Sequence, residues 1–136
     1  MKEEDKDIKE TLSKLPTHHR KLVQGYKIIF EPDSTLKNDD KHVGVITSKP
    51  KEIRVASPWN YGRGFAFLHE IGHLVWEKFI KGKKEKEWSG LCKKVKDKKK
   101  GEPEEELFCH AYASTYCKYP PKLHHHESWE RFIKTL

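Results

Sequence analysis

The chain predicts an α+β domain: a small three-stranded, mostly antiparallel sheet packed on one central helix, with further helices on the C-terminal side. Three observations predict it. Tyr26 to Phe30, His42 to Ile46 and Ile53 to Ala56 are short runs rich in β-branched residues, bounded by Pro, Asp, Asn, Ser or Lys. Tyr61 to Lys81 carries apolar residues at helical spacing over a broad face. Amphipathic segments then follow one another to the end of the chain, so strands and helices are segregated rather than alternating. With 136 residues there is material for one core, hence a single domain over 1–136.

Taken in order, Asp7 to Leu15 predicts a short helix stopped near Pro16. Thr17 to Gln24 predicts another, with Gly25 as its C-terminal cap, so that 1–25 forms a helical flank. The second and third strands predict a hairpin around Ser48-Lys49-Pro50. The central helix has Asn60 as N-cap and Gly82 as its stop, and Phe65, Phe67, Leu68, Ile71, Leu74, Val75, Trp76 and Phe79 suit burial on two sides. Trp88, Leu91, Cys92 and Val95 follow the i, i+3, i+4, i+7 pattern of a further helix, and 97–103 reads as an exposed loop. Glu104 to Lys118 predicts a helix ended by Pro120 and Pro121. Within 120–136, Glu127 to Ile133 predicts the last helix, anchored by Trp129, Phe132 and Ile133.

Charged residues (36%) match hydrophobic ones (35%), so the core must be small and its fifteen aromatics must supply much of the apolar area. The net charge of +7 is concentrated between Lys81 and Lys100, where ten lysines face Glu85, Glu87 and Asp97. Such a run is ordinarily a solvated flank, and it lacks the interleaved aromatics and motif spacings of a nucleic-acid module. The start MKEEDKDIKE has no apolar stretch for a signal peptide, and no run of eighteen apolar residues exists to span a bilayer. Cys92, Cys109 and Cys117 are an odd set in a chain that does not need staples, which points to free thiols, a reducing interior and a cytoplasmic setting.

The chemistry lies at His69-Glu70-Ile71-Gly72-His73. Two histidines four apart on a helix share a face, and both can direct a ring nitrogen at one ion about 2.0–2.1 Å away. Glu70 lies about 100° round, where its carboxylate can take a proton from a water held in the ion's open position. In this composition H-E-x-x-H arises by chance in about 6% of such chains, so the context must decide. If both histidines were mere core residues, a carboxylate would be buried between them at a cost of several kcal/mol unless paired or metal-bound. The motif therefore predicts one zinc ion per chain.

Zinc in a catalytic site takes three protein ligands, so a third must come from elsewhere, and EPEEELFCHAYASTYCKYP is the source, where Glu102, Glu104, Glu105 and Glu106 compete. Glu106 shares a helix face with Cys109, His110 and Ala113, while Leu107, Phe108, Ala111 and Tyr112 form the core stripe. Glu106 is the metal ligand on this reading, and His110 orients it or a bound histidine from behind. The opposite assignment, His110 as ligand and Glu106 as its support, stays open. Glu102 and Glu104 read as acidic residues favoured near a helix N-terminus.

With these residues in place, the chain resembles the gluzincin metallopeptidases, especially the small ones: ImmA/IrrE-like proteases, minigluzincins, Pro-Pro endopeptidases and the anthrax lethal factor catalytic domain. The resemblance is specific in HEIGH and in EELFCHAYASTY, which is similar to the pattern E-x-F-[small]-E-A-F-A-Y that follows the third ligand in the last two groups. It implies a zincin-like fold, the metal glutamate at Glu106, and Ile53 to Ser57 as the edge strand that pairs with an extended peptide. His110 stands where those groups carry an acid. The tyrosine they carry seven residues before the ligand glutamate falls on Lys99, so Tyr61, Tyr112, Tyr116 and His124 to His126 are left as candidates to stabilise the oxyanion.

The expected function is zinc-dependent hydrolysis of peptide bonds, with His69, His73 and Glu106 on the metal and Glu70 activating water. The expected partner is a peptide or protein, and the ImmA/IrrE-like resemblance implies a transcriptional repressor. The alternative is a zinc-stabilised regulatory or nucleic-acid-binding module that uses the lysine-rich face. No membrane partner is expected.

Overall fold

The structure, a computed structural model, describes residues 9–31, 44–48, 51–56, 62–94, 103–116 and 127–136. A short helix α1 (9–13) leads into α2 (Thr17–Val23), β1 (Lys27–Glu31), β2 (Gly44–Ser48) and β3 (Lys51–Ala56). The central helix α3 (Gly62–Val75) continues as a π-helical turn over Trp76–Ile80, and α4 (Glu85–Lys93), α5 (Glu104–Tyr116) and α6 (Glu127–Lys134) follow. Gly25 at φ 89° and Gly82 at φ 73° leave their helices through the left-handed region, where a side chain would be strained. Asn60, Phe65, Val95, the 97–102 stretch and the Ser48-Lys49-Pro50 turn lie wholly or partly outside the described residues.

The expected α+β fold with a mostly antiparallel sheet is corrected. The described residues are mostly helical, and β1 runs parallel to β3, with Ile28 opposite Ile53 and Phe30 opposite Val55. A parallel pair needs a crossover of a dozen or more residues, and the chain between Glu31 and Lys51 supplies that length. β2 pairs antiparallel with β3, placing Ser48 opposite Lys51, so the order is β1-β3-β2.

A second correction follows from this order. The strand at Lys51–Ala56 lies inside the sheet, and the edges among the described strands are β1 and β2. Ile53 and Val55, alternate residues of β3, are both fully buried, as the inner strand of a sheet covered on one face requires.

α3 packs on β2 and β3 and, most extensively, on α5. Phe67, Leu68, Ile71 and Val75 are buried along it, with Trp76 and Ile80 beyond. The wider π turn lets both Trp76 and Ile80 reach the core, and leaves Leu74 and Phe79 only partly covered. The C-terminal helices close around Trp88, whose ring centroid lies 5.0 Å from Trp129, 5.4 Å from Phe108 and 5.6 Å from Phe132. Buried side chains of this size contribute about 1.5–3 kcal/mol each. Trp88 also donates its indole N–H to Glu104 O at 2.9 Å, which fixes the start of α5 relative to α4. Among the described residues no helix is long and apolar enough to cross a membrane.

Candidate metal centre

Helix α5 lies against α3 in antiparallel fashion: His69 meets His110, Gly72 meets Cys109 and His73 meets Glu105. Gly72 allows this approach. A Cβ at that position would stand 3.0 Å from Cys109 Cα and 3.3 Å from its Cβ and Sγ, so the motif's variable residue before His73 must be small for α5 to come this close.

The approach brings the predicted residues together. His69 Nε2 lies 3.1 Å from Glu106 Oε2, and His73 Nε2 lies 3.3 Å from Glu106 Oε1, so both rings aim the same nitrogen at the two oxygens of one carboxylate. The opposite nitrogens also have acidic partners. His69 Nδ1 is 3.1 Å from Glu70 Oε2, and His73 Nδ1 is 2.7 Å from Glu105 Oε2. His110 packs its ring against His69, with centroids 4.7 Å apart.

Electrostatics follow from these contacts. Burial opposes a charge on His69, but hydrogen bonds to Glu106 and Glu70 outweigh it and push its pKa up to about 9. Burial opposes a charge on His73 too, and the bonds to Glu106 and Glu105 reverse it, raising that pKa. The two histidines hold the Glu106 carboxyl well below the usual carboxylate range. Burial pushes the Cys109 thiol well up.

The donor set fits a divalent cation by type, since imidazole nitrogen and carboxylate oxygen are ligands that zinc accepts. The Nδ1 contacts to Glu70 and Glu105 would fix the tautomer with Nε2 free to ligate. Among the described residues, two sets offer donor atoms within 4.8 Å of one another: His69 with His73 and Cys109, and His69 with Glu106 and His110. Neither set holds the expected His69, His73 and Glu106 together: the two Nε2 atoms meet different oxygens of Glu106, and Glu106 and His110 both stand beside His69.

Glu70 is the one buried carboxylate among the described residues, 6% exposed. Its Oε2 supports His69 Nδ1 rather than standing on the Nε2 side, a placement the spacing of the motif did not foretell. Glu105, a competitor of Glu106 in the acidic run, lies off the Glu106 row, yet it reaches His73 because the close approach of α5 brings both flanks of its face to α3. Cys109, on the Glu106 row, is fully buried and forms no disulfide among the described residues.

Of the oxyanion candidates, Tyr112 is fully buried, with its hydroxyl 3.0 Å from His19 Nδ1, and is therefore a core residue. Tyr116 packs against Tyr112 at 5.1 Å. Tyr61 and His124 to His126 lie outside the described residues. No protein-family model, curated protein or solved structure matches the chain.

Proposed function

We propose that the chain is a zinc-dependent endopeptidase in which His69, His73 and Glu106 hold one zinc ion and Glu70 is the general base. The observation that carries this reading is the convergence of His69 Nε2 and His73 Nε2 on the two oxygens of Glu106. The resemblance of HEIGH and EELFCHAYASTY to the small gluzincins supports the same chemistry.

When bound, zinc supplies a Lewis acid that polarises the scissile carbonyl and acidifies water near neutral pH. Glu70, whose Oε2 rests against His69 Nδ1, would turn its carboxylate to the Nε2 side to take a proton from the attacking water and return it to the departing amine. Glu105 holds the His73 ring in place from the far side. An extended substrate adds to β2, the antiparallel edge that packs on α3, because strand addition binds main chain without demanding sequence.

The test is zinc content and hydrolysis of a quenched fluorescent peptide library by wild type and Glu70→Gln. The amide still accepts from His69 Nδ1–H, so the variant should keep about one zinc per chain and lose about 100-fold or more of the activity. Full activity in Glu70→Gln would refute the mechanism.

A second reading, a zinc-stabilised module that binds nucleic acid, is favoured by one observation. A cleft of about 420 Å³ between α4 and α6 is lined by Lys86, Lys94 and Arg131, with Glu87 among them, around Leu91 and Phe132. Salt-dependent binding of DNA would support it.

A further inference from the structure

The cleft between α4 and α6 runs the length of both helices. Lys86, Gly90 and Lys94 line it at intervals of four residues along α4 and its C-terminal cap. Ser128, Arg131, Phe132 and Thr135 line it from the other side at the i, i+3, i+4, i+7 spacing of one helix face. Two such faces side by side make a groove about 12 Å long, the rise between Lys86 and Lys94. Its floor has room for apolar side chains: a Cβ at Gly90 would meet nothing within 4 Å, and Leu91 is only partly covered by the core. The charge on its rim is one-sided, with Lys86, Lys94 and Arg131 against Glu87 alone. Outside the cleft, Lys81 pairs with Glu77 at 3.7 Å and Lys134 with Glu130 at 3.5 Å, each four residues away. Among the described residues, no carboxylate pairs in this way with Lys86, Lys94 or Arg131.

We propose that this groove docks an acidic amphipathic helix of a partner protein, its apolar face on Leu91 and Phe132 and its flanking carboxylates against Lys86, Lys94 and Arg131. Recognition of a helix in a groove uses anchors at i, i+3, i+4 and i+7, and two turns of groove accommodate that spacing. The cations select acidic flanks and reject basic ones, which sets the class of partner. A nucleic-acid backbone fits the same cleft less well, because its phosphates gain nothing from Leu91 or Phe132 and are repelled by Glu87. None of the lining residues belongs to the metal centre, so docking does not depend on the zinc reading.

The experiment follows the fluorescence anisotropy of a labelled synthetic helix of about 14 residues, with leucines at i, i+3, i+4 and i+7 and glutamates on both flanks, at about 0.15 M salt. Two controls accompany it, a scrambled peptide of the same composition and one with lysine in place of glutamate. Wild type should bind the acidic amphipathic helix about tenfold tighter than either control. Gly90→Gln fills the floor from a position with room for a side chain, and Lys94→Glu reverses one rim charge; each should lose about tenfold. Lys78→Glu, which reverses an exposed cation outside the cleft, should change binding by less than about twofold, and unchanged circular dichroism shows that all three variants are folded. No saturation below about 1 mM, equal binding of the scrambled peptide, or wild-type affinity in Gly90→Gln would each overturn the proposal. Duplex DNA that binds wild type more tightly than the helix does, and is lost in the same two variants, would overturn it too and give the cleft to nucleic acid.

Discussion

Gly72→Ala adds a single methyl at the contact that assembles the site. The new Cβ would meet Cys109 Cα at 3.0 Å, a backbone atom, so relief requires α5 to move rather than one side chain to turn. Ordinary contact starts near 3.4 Å, so the helices must part by about 0.4 Å or more. Overpacking of this kind costs about 1–3 kcal/mol, and alanine returns about 1 kcal/mol through helix propensity. Gly90→Ala isolates the second effect, because a Cβ on α4 at that position meets nothing within 4 Å. Gly90→Ala should therefore stabilise by about 1 kcal/mol, and Gly72→Ala should fall about 1–3 kcal/mol below it. Urea denaturation with unchanged m-values measures the difference. Zinc affinity should drop in Gly72→Ala alone, since Glu106 rides on the displaced helix. Equal stabilities for the two variants would refute the close approach.

Glu105→Ala should weaken zinc binding about 10- to 100-fold by freeing the His73 ring, measured by competition with a chelator; unchanged affinity would remove Glu105 from the site. His19 is fully buried, and burial with neighbouring His18 holds its pKa down to about 4 from an ordinary 6.5. Between those values the unfolded chain binds a proton that the folded protein refuses. Stability is therefore full above pH 6.5 and falls as pH drops toward 4, by about 3 kcal/mol at most. Denaturation across that range should show a shallower fall for His19→Gln, and equal slopes would contradict the assignment. Trp88→Ala should cost about 3–5 kcal/mol, because α5 and α6 both pack on that ring and α5 accepts its N–H; a loss below 1 kcal/mol would place the core elsewhere.

The site was legible because its logic is local. His69 and His73 share a face by helical period alone, and the Glu106, Cys109, His110 row was set apart by its polarity from the stripe Leu107, Phe108, Ala111, Tyr112, all four of which are buried. Strand direction was not legible. YKIIF and IRVA have the β-branched character that suits either orientation, and whether they run parallel depends on the course of the chain between them, which periodicity does not record. The inner position of β3 escaped for the same reason: Ile53 and Val55 alternate like the buried face of any strand. The role of Glu105 depends on the tightness of the α3/α5 contact, and Gly72 declared its purpose only when Cys109 appeared opposite it. The π turn escaped because Val75, Trp76, Phe79 and Ile80 are apolar whichever helix type continues.

The central claim is that one metal ion is clasped by side chains from α3 and α5. Zinc content after equilibrium dialysis, compared between wild type and a His69→Ala/His73→Ala double variant, tests it most directly. The account predicts about one zinc per wild-type chain and none retained by the variant, even though His124, His125 and His126 are intact. Equal zinc in both proteins would contradict it.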